Sequence, residues 1–194
     1  GSGYQYEDTN IYAFFHSSKG QWGLGHVPIM PFTGQISADD YHSSYSHENE
    51  SAKVGYYQVF LERYRVNAEM TTTLRSAYHK YTYQKEDDKK LFLNLSRMNS
   101  VRAGARWTFN QEDENTFTGS QEDIYFYAVS SHKIDSTNSI SNEKDKLTVL
   151  HFAGGNDTLE LKIGFSFVSV EKAKKNLEAE MINKSFSQVV AEAN

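Results

Sequence analysis

Cysteine is absent from this chain of 194 residues, and proline occurs only twice. Without cysteine there are no disulfides, no thiolate nucleophile and no cysteine-based zinc site, and the redox compartment stays open. No apolar run approaches the roughly 18 residues that a membrane-spanning helix needs. Basic residues are the minority, because 20 lysines and arginines face 25 aspartates and glutamates, for a net charge of −5. This balance argues against nucleic acid or an anionic membrane surface as the main partner.

Aromatic residues, by contrast, are plentiful, with 13 tyrosines, 12 phenylalanines and 2 tryptophans. Disordered chains lack such core material. A chain of this length can bury roughly two-thirds of the surface that it exposes when unfolded. The composition therefore predicts a globular body with a substantial core.

Apolar and polar residues alternate through the middle of the chain. Tyr57, Val59 and Leu61 share one face of a predicted strand. Strands with one wet face are typical of antiparallel sheets, and no long helix interrupts them. The pattern predicts an all-β, antiparallel sandwich built from meanders. The segments whose apolar residues alternate in this way are 56–62, 66–70, 91–95 and 159–167.

Turn signals separate these segments. Gly119-Ser120, the acidic stretch 86–88 and the Gly-Gly-Asn-Asp sequence at 154–157 are predicted turns. The serine- and asparagine-rich piece 135–145 is interpreted as a surface loop.

The chain switches to helical chemistry at its C-terminal end. Ser169 is a candidate N-cap for a helix over 170–180. Ser185 and Gln188 form a capping-box pattern at the start of a second short helix. Both helices carry too few apolar residues for a core of their own. They are predicted to form a connector that packs on another part of the protein.

The segment 14–26 combines three glycines with Trp22, Gln21, His16 and His26. Glycines let the backbone approach a ligand closely, an exposed indole stacks on apolar faces, and glutamine and histidine offer directed hydrogen bonds. This mixture suits a sugar. The residues alone also fit a purely structural role, a glycine-rich turn whose tryptophan covers the core. Both interpretations stay open here. The segment is not a phosphate loop, because no Gly-Lys-Ser/Thr ending is present.

Other polar clusters give no catalytic or metal signature. The most prominent contains Asp39, Asp40, His42, His47 and Glu48, and is interpreted as a hydrated loop because its spacing fits no zinc or calcium pattern. His79 falls on an alternating strand, which predicts a solvent-facing or edge position. No self-contained catalytic site and no metal site are expected in this chain.

Several strings resemble the N-terminal domain of glycoside hydrolase family 92, the calcium-dependent exo-α-mannosidases. Residues 4–16, YQYEDTNIYAFFH, are similar to the family's GYxYxDxxIYGFSH strand, and residues 23–34, GLGHVPIMPFTG, to its GDIxxMPTTG run. Residues 168–180, VSVEKAKKNLEAE, are similar to its VSVENAKxNLEAE. Four more matches follow the family's order and spacing: YSHENE from 45, GYYQV from 55, VNAEMT from 66 and YHKYTY from 78. The resemblance covers most of the chain and is weakest over 97–150.

The resemblance implies a galactose-mutarotase-like supersandwich over residues 1–168 and a helical linker over 169–194. The linker would lead to an (α/α)6 barrel that holds the general acid, the general base and most of the calcium environment. That barrel would follow Asn194, and the family's opening strand would precede this chain. No calcium is expected in this part alone. The family's substrates imply mannose-containing glycans as partners and a secreted or periplasmic location.

Carried over by position, Trp22 would line the sugar subsite, with Gln21, His16 and His26 as polar neighbours. The chain departs from the family at Gly25-His26, which stands where a Gly-Asp pair is expected, so the contribution of that aspartate is in doubt. The leading hypothesis is a non-catalytic N-terminal domain of an inverting exo-α-mannosidase that shapes the sugar pocket and packs on the barrel. The alternatives are a free-standing carbohydrate-binding sandwich and a purely structural interaction domain.

Overall fold

The computed structural model describes residues 5–16, 25–84, 88–98 and 102–193. Within these ranges the chain forms short and long β-strands, a 3-10 turn at His47–Asn49 and two C-terminal α-helices. The elements are β1 (Asn10–Ile11), β2 (Ile29–Phe32), β3 (Ser43–Ser44), β4 (Glu50–Lys53), β5 (Tyr56–Leu61), β6 (Val66–Thr72), β7 (Ser76–Tyr83), β8 (Lys90–Leu93), β9 (Arg97–Met98), β10 (Arg102–Ala103), β11 (Trp107–Gln111), β12 (Thr116–Gln121), β13 (Ile124–Ser130), β14 (Ile134–Ser141), β15 (Lys146–Phe152), β16 (Thr158–Ser166), α1 (Val170–Glu180) and α2 (Phe186–Glu192).

Two sheets dominate the described part of the chain. The larger sheet has the order β11-β12-β13-β16-β7-β6-β5-β4, and the smaller sheet has the order β14-β15-β8-β2. Neighbouring strands in both sheets pair antiparallel. One buried cluster takes side chains from both, including Leu161 and Tyr81 of the larger sheet and Leu91 and Leu150 of the smaller. The predicted antiparallel β-sandwich is therefore confirmed.

The predicted alternation is clearest on strands of the larger sheet. Val59 and Leu61 on β5 and Val66 and Ala68 on β6 are fully buried, whereas the residues between them reach the surface. β13 alternates in the same way along its whole length. A sheet that packs on the sandwich core with one face produces this period of two.

Both helices begin where the sequence predicts. The Ser169 hydroxyl accepts a hydrogen bond from the Lys172 amide, and Ser185 and Gln188 form a complete capping box. The helices lie on the outer face of the larger sheet, where Leu177 and Val189 are fully buried against Tyr78 of β7. Their short apolar faces are thus covered by the sheet, which confirms the predicted packing on another part of the protein; their role as a connector stays a prediction.

The contact between α1 and β16 is close enough to require glycine. A Cβ atom at Gly164 would lie 2.2 Å from the Ala173 carbonyl oxygen and 2.8 Å from the Leu177 Cβ. The predicted alternation along 159–167 fails at two points: Gly164 is buried under the helix because of this contact, and Phe167, predicted to share the apolar face, is 64% exposed because it lies beyond the end of the strand.

The predicted turn at Gly119-Ser120 is wrong, because both residues lie inside β12. A side chain at Gly119 would place its Cβ 2.2 Å from the Thr108 carbonyl oxygen and 2.7 Å from the Phe126 ring. This glycine therefore marks a close approach within a strand. The Gly-Gly-Asn-Asp turn at 154–157 is confirmed, since it joins β15 to β16.

The interpretation of 135–145 as a surface loop is also wrong over most of its length. Residues up to Ser141 form β14, which pairs with β15 at the edge of the smaller sheet. Most of its side chains are exposed, so the strand carries serine, threonine and asparagine and lacks an apolar alternation. Edge strands with polar side chains resist pairing with other chains.

The prediction that one face of segment 91–95 is exposed to solvent is wrong as well. Phe92 is fully buried, like Leu91 and Leu93 on the opposite face of β8. The Tyr41 ring lies 5.2 Å from the Phe92 ring and the Phe32 ring lies 5.9 Å from it, which covers the outer side of this strand. The segment between β2 and β3 thus buries a second face of the smaller sheet.

Candidate functional site

The N-terminal segment and the residues before β2 form a stem that brackets positions 17–24. Phe14 and Ile29 exchange backbone hydrogen bonds of 2.8 and 3.0 Å. Beyond them, the His16 amide donates to the His26 carbonyl at 3.0 Å. The two ends of the glycine-rich segment are therefore held side by side.

The His16 ring lies inside the stem and makes two hydrogen bonds. Its Nδ1 lies 2.6 Å from the Val27 carbonyl oxygen, and its Nε2 lies 2.8 Å from Nε2 of His79. The other ring nitrogen of His79, Nδ1, lies 2.5 Å from the Tyr81 hydroxyl. Two histidines and a tyrosine thus form a continuous hydrogen-bonded row from the stem to the middle of the larger sheet.

Burial determines the charge of this row. It lowers the pKa of His16 from 6.5 to about 4, against the smaller opposing effect of the bond to the Val27 carbonyl. Burial also lowers the pKa of His79 well below its usual value, and the neighbouring His16 lowers it further. Both rings are therefore neutral at neutral pH.

Val27 has a strained backbone, with a φ of 49° that β-branched residues rarely adopt. Side chains bind both of its backbone polar groups: His16 binds the carbonyl, and the Gln121 Oε1 accepts from the amide at 2.6 Å. Gln121 is fully buried and donates to the carbonyls of Leu95 and Arg97 at 2.9 and 3.0 Å. Strain of this kind persists only where the surroundings hold it, and it concentrates at functional sites.

A cavity of about 630 Å³ opens beside His16 and His79. We call it the His16 cavity. Its rim carries three strongly exposed apolar side chains, Leu74, Phe167 and Val168, at 88%, 64% and 69% exposure. Its other described lining residues are mainly aromatic, aliphatic or small polar, with two basic residues: Phe14, Phe15, Met70, Thr72, Thr73, Arg75, Ser76, Ala77, Ile124, Phe165, Ser166, Lys172 and Asn176.

Of the four predicted sugar-binding residues, the structure describes His16 and His26. His16 lines the His16 cavity, but both of its ring nitrogens bind protein groups. His26 is 1% exposed and takes part in the stem through its backbone. Gln21 and Trp22 lie outside the described residues. Their contact with a sugar stays a prediction.

The predicted solvent-facing or edge position of His79 is wrong. His79 belongs to the candidate site, although the sequence pattern did not place it there. It is 2% exposed on β7, which lies between β6 and β16 in the larger sheet. A signal was available, because Tyr81 and Tyr83 follow at spacing two on the same face of the strand. Two large aromatics on one face predict that this face is the buried one.

The polar cluster at 39–48 supports local structure. Arg63 binds the Asp40 carboxylate at 2.7 Å and holds the pKa of that carboxyl below its usual value. The His47 ring stacks on Tyr6 with centroids 4.2 Å apart, and its Nδ1 lies 2.6 Å from a Glu50 oxygen, which raises the pKa of His47. Over the described residues, no three His, Asp or Glu side chains are grouped to hold a metal ion.

The chain matches a known protein family. The model of the glycosyl hydrolase family 92 N-terminal domain matches residues 1–166, and the chain belongs to this family. The resemblance recognised in the sequence is thereby confirmed. No curated protein matches the chain significantly.

Solved structures show the same fold. The family GH92 alpha-mannosidase BT3965 from Bacteroides thetaiotaomicron has a TM-score of 0.85 at 23% identity, covering 99% of this chain and 31% of that one. Its complex with mannoimidazole gives the same score and identity, with 99% and 30% coverage. The GH92 inverting mannosidase BT2199 from the same organism has a TM-score of 0.82 at 17% identity, covering 98% and 28%. The chain thus spans about 31% of the length of the first of these relatives. Among the described helices, none is long and apolar enough to cross a membrane.

Proposed function

We propose that this chain is the pocket-shaping N-terminal domain of an inverting exo-α-mannosidase and has no catalytic activity alone. The observation that carries the proposal is the family match over residues 1–166, together with relatives about three times longer, one an α-mannosidase and one an inverting mannosidase. On this view the stem presents Trp22 and Gln21 to a mannose-containing glycan, with His16 and His26 behind them. Glycan substrates of this kind favour a secreted or periplasmic location.

The chemistry of the His16 cavity supports a non-catalytic role. An inverting glycosidase needs two carboxyl groups about 6.5–9.5 Å apart. None of the described residues that line the cavity is Asp or Glu, and positions 17–24 contain neither residue type. The acid and the base would then belong to a separate catalytic barrel. We assign no step to calcium, because the described residues do not group its ligands.

The exposed rim supports a packing role. Leu74, Phe167 and Val168 form an apolar surface at the edge of the cavity, and such surfaces mark interaction sites. We propose that the catalytic barrel packs against this rim. Residues 169–194 would act as the linker, with α1 and α2 docked on the larger sheet, so that the barrel is attached to a rigid support.

The first test compares turnover of an aryl α-mannoside by the purified chain and by the full-length gene product. We expect hydrolysis by the longer protein and none by the chain, because the carboxyl pair is missing from the chain. Turnover by the chain that survives removal of traces of the longer protein would contradict the proposal. If the gene product ends near Asn194 and the chain binds mannosides in calorimetry, the chain is instead a free-standing carbohydrate-binding module.

The second test replaces the two tryptophans separately in the full-length enzyme. Trp22→Ala removes the proposed wall of the sugar subsite, and we expect kcat/KM to fall about tenfold, equivalent to about 1.4 kcal/mol of lost transition-state binding. Trp107→Ala is the matched control, because Trp107 lies on β11 at the edge of the larger sheet and does not line the His16 cavity. Equal kinetics for both variants would make Trp22 a packing residue.

A further inference from the structure

The contact with the Val27 carbonyl shows which nitrogen of His16 carries the proton. A carbonyl oxygen only accepts hydrogen bonds, so the His16 Nδ1 beside it at 2.6 Å must be the donor. In a neutral imidazole only one nitrogen is protonated, and the His16 Nε2 is then an acceptor. The Val27 carbonyl thus favours the Nδ1–H tautomer of His16, and a donor beside the His16 Nε2 is needed to hold it.

The same logic fixes the rest of the row. Since the His16 Nε2 accepts, the His79 Nε2 at 2.8 Å must donate to it. The Nδ1 of neutral His79 is then an acceptor, and the Tyr81 hydroxyl at 2.5 Å donates to it. Among arrangements with both rings neutral, only this one satisfies all three contacts. The bonds run in one direction, from Tyr81 through His79 and His16 to Val27.

The row ends where the stem is most constrained. Val27 has a left-handed backbone, and its carbonyl is held by His16 while its amide is held by Gln121. The His16 amide binds the His26 carbonyl on the opposite strand of the stem. His79 and Tyr81 lie two residues apart on β7, and the hydrogen bond between His79 and His16 joins them to this end of the stem.

We infer that His79 and Tyr81 are positioning residues that act through His16: they hold its Nδ1–H tautomer, and so fix both ends of the segment 16–27 to the larger sheet. All four residues of the hydrogen-bonded row lie within this chain. Its consequence for sugar recognition rests on the proposed function, because that function assigns Trp22 and Gln21 to the segment.

The test reads the ring nitrogens directly, in the chain alone and without any sugar. With 15N-labelled histidine at neutral pH, we expect His16 to show a protonated Nδ1 and a bare Nε2, and His79 to show the reverse. A His16 ring that is protonated at Nε2, or at both nitrogens, would overturn the inference. Because no mannoside is present, this result is independent of whether the proposed function is correct.

Two tyrosine variants separate positioning from simple packing. Tyr81→Phe removes the donor to the His79 Nδ1, so we expect the nitrogen shifts of both rings to change and the His16 amide to exchange faster with solvent. Tyr83→Phe is the matched control: Tyr83 is buried on the same face of β7, and its hydroxyl donates to the Lys90 carbonyl instead of a histidine. Equal effects of the two variants on the ring shifts would contradict the inference.

Two replacements of His79 test whether a hydrogen-bond donor at this position is enough to hold the His16 tautomer. His79→Gln keeps an amide donor where the ring nitrogen stood, and we expect His16 to retain its Nδ1–H signature. His79→Phe keeps a ring without a donor, and we expect His16 to sample both tautomers. A His16 signature that is unchanged in the phenylalanine variant would overturn the inference, and the wild-type spectrum decides it even where a variant fails to fold.

Discussion

Asp145→Ala is expected to lower the free energy of unfolding by about 3–5 kcal/mol, because it leaves the partly buried Arg97 without its main partner. Asp145 is 5% exposed, and Arg97 binds both of its carboxylate oxygens, at 2.6 and 2.9 Å. Asn94 donates to the same carboxylate at 3.1 Å. Such a two-point ion pair is strong only while both charges are present.

The measurement is urea unfolding of the chain and its variants at neutral pH. Glu114→Ala is the matched control, because the Glu114–Lys133 pair has a similar distance of 2.7 Å but is 60% and 65% exposed. Exposed pairs contribute about 0–1 kcal/mol. The double variant Arg97→Met/Asp145→Leu removes both charges, and we expect it to be more stable than Asp145→Ala. A loss for Asp145→Ala no larger than that of Glu114→Ala would contradict the prediction.

This ion pair also reaches the candidate site. The Arg97 carbonyl accepts from the Gln121 amide, and the same Gln121 side chain binds the strained Val27 backbone. Losing Asp145 therefore disturbs the support of the stem as well as the smaller sheet. The stem is held from two sides, through the histidine row on β7 and through Gln121 at the end of β12.

Local patterns in the sequence were sufficient for much of the fold. Val66 and Ala68 alternate with polar residues because their strand has one buried face, and Ser169 and Ser185 cap helices through contacts within four residues. What the patterns missed depends on neighbours that are distant in sequence. Gly119 resembles a turn residue until the Thr108 carbonyl is seen against it. β14 lacks an apolar face because most of its side chains are exposed at the edge of the smaller sheet.

The site shows the same limit more sharply. The sequence pointed to the glycine-rich segment and to His16, and their contact with a sugar stays a prediction. It did not reveal that His16 and His79, 63 positions apart, share a hydrogen bond. Nor did composition show that the His16 ring nitrogens are both engaged, which moves any hydrogen bonding to a sugar onto other groups. Tertiary contacts decide these points, and spacing along one strand does not encode them.

Acidification is expected to destabilise the chain through His16. Its pKa lies near 4 in the folded protein, below the ordinary 6.5, so the folded state resists protonation. A group with a lowered pKa contributes its full stability above the unfolded value, and that stability is lost as the pH falls toward the folded value. The loss therefore begins below pH 6.5 and is complete near pH 4.

Urea unfolding between these pH values measures the effect. One pKa unit corresponds to about 1.4 kcal/mol, so for this half-buried ring we expect the wild type to lose about 2–3 kcal/mol more than His16→Gln. His47→Gln is the control of opposite sign: Glu50 raises the pKa of His47, so His47 stabilises the fold at acid pH and loses its contribution as the pH rises. The contribution of His47 changes above pH 6.5, so removing His47 should leave the profile between pH 6.5 and 4 nearly unchanged, whereas removing His16 should flatten it. Parallel pH profiles for the wild type and His16→Gln would show that the pKa of His16 is the same in the folded and the unfolded chain, and would contradict the prediction.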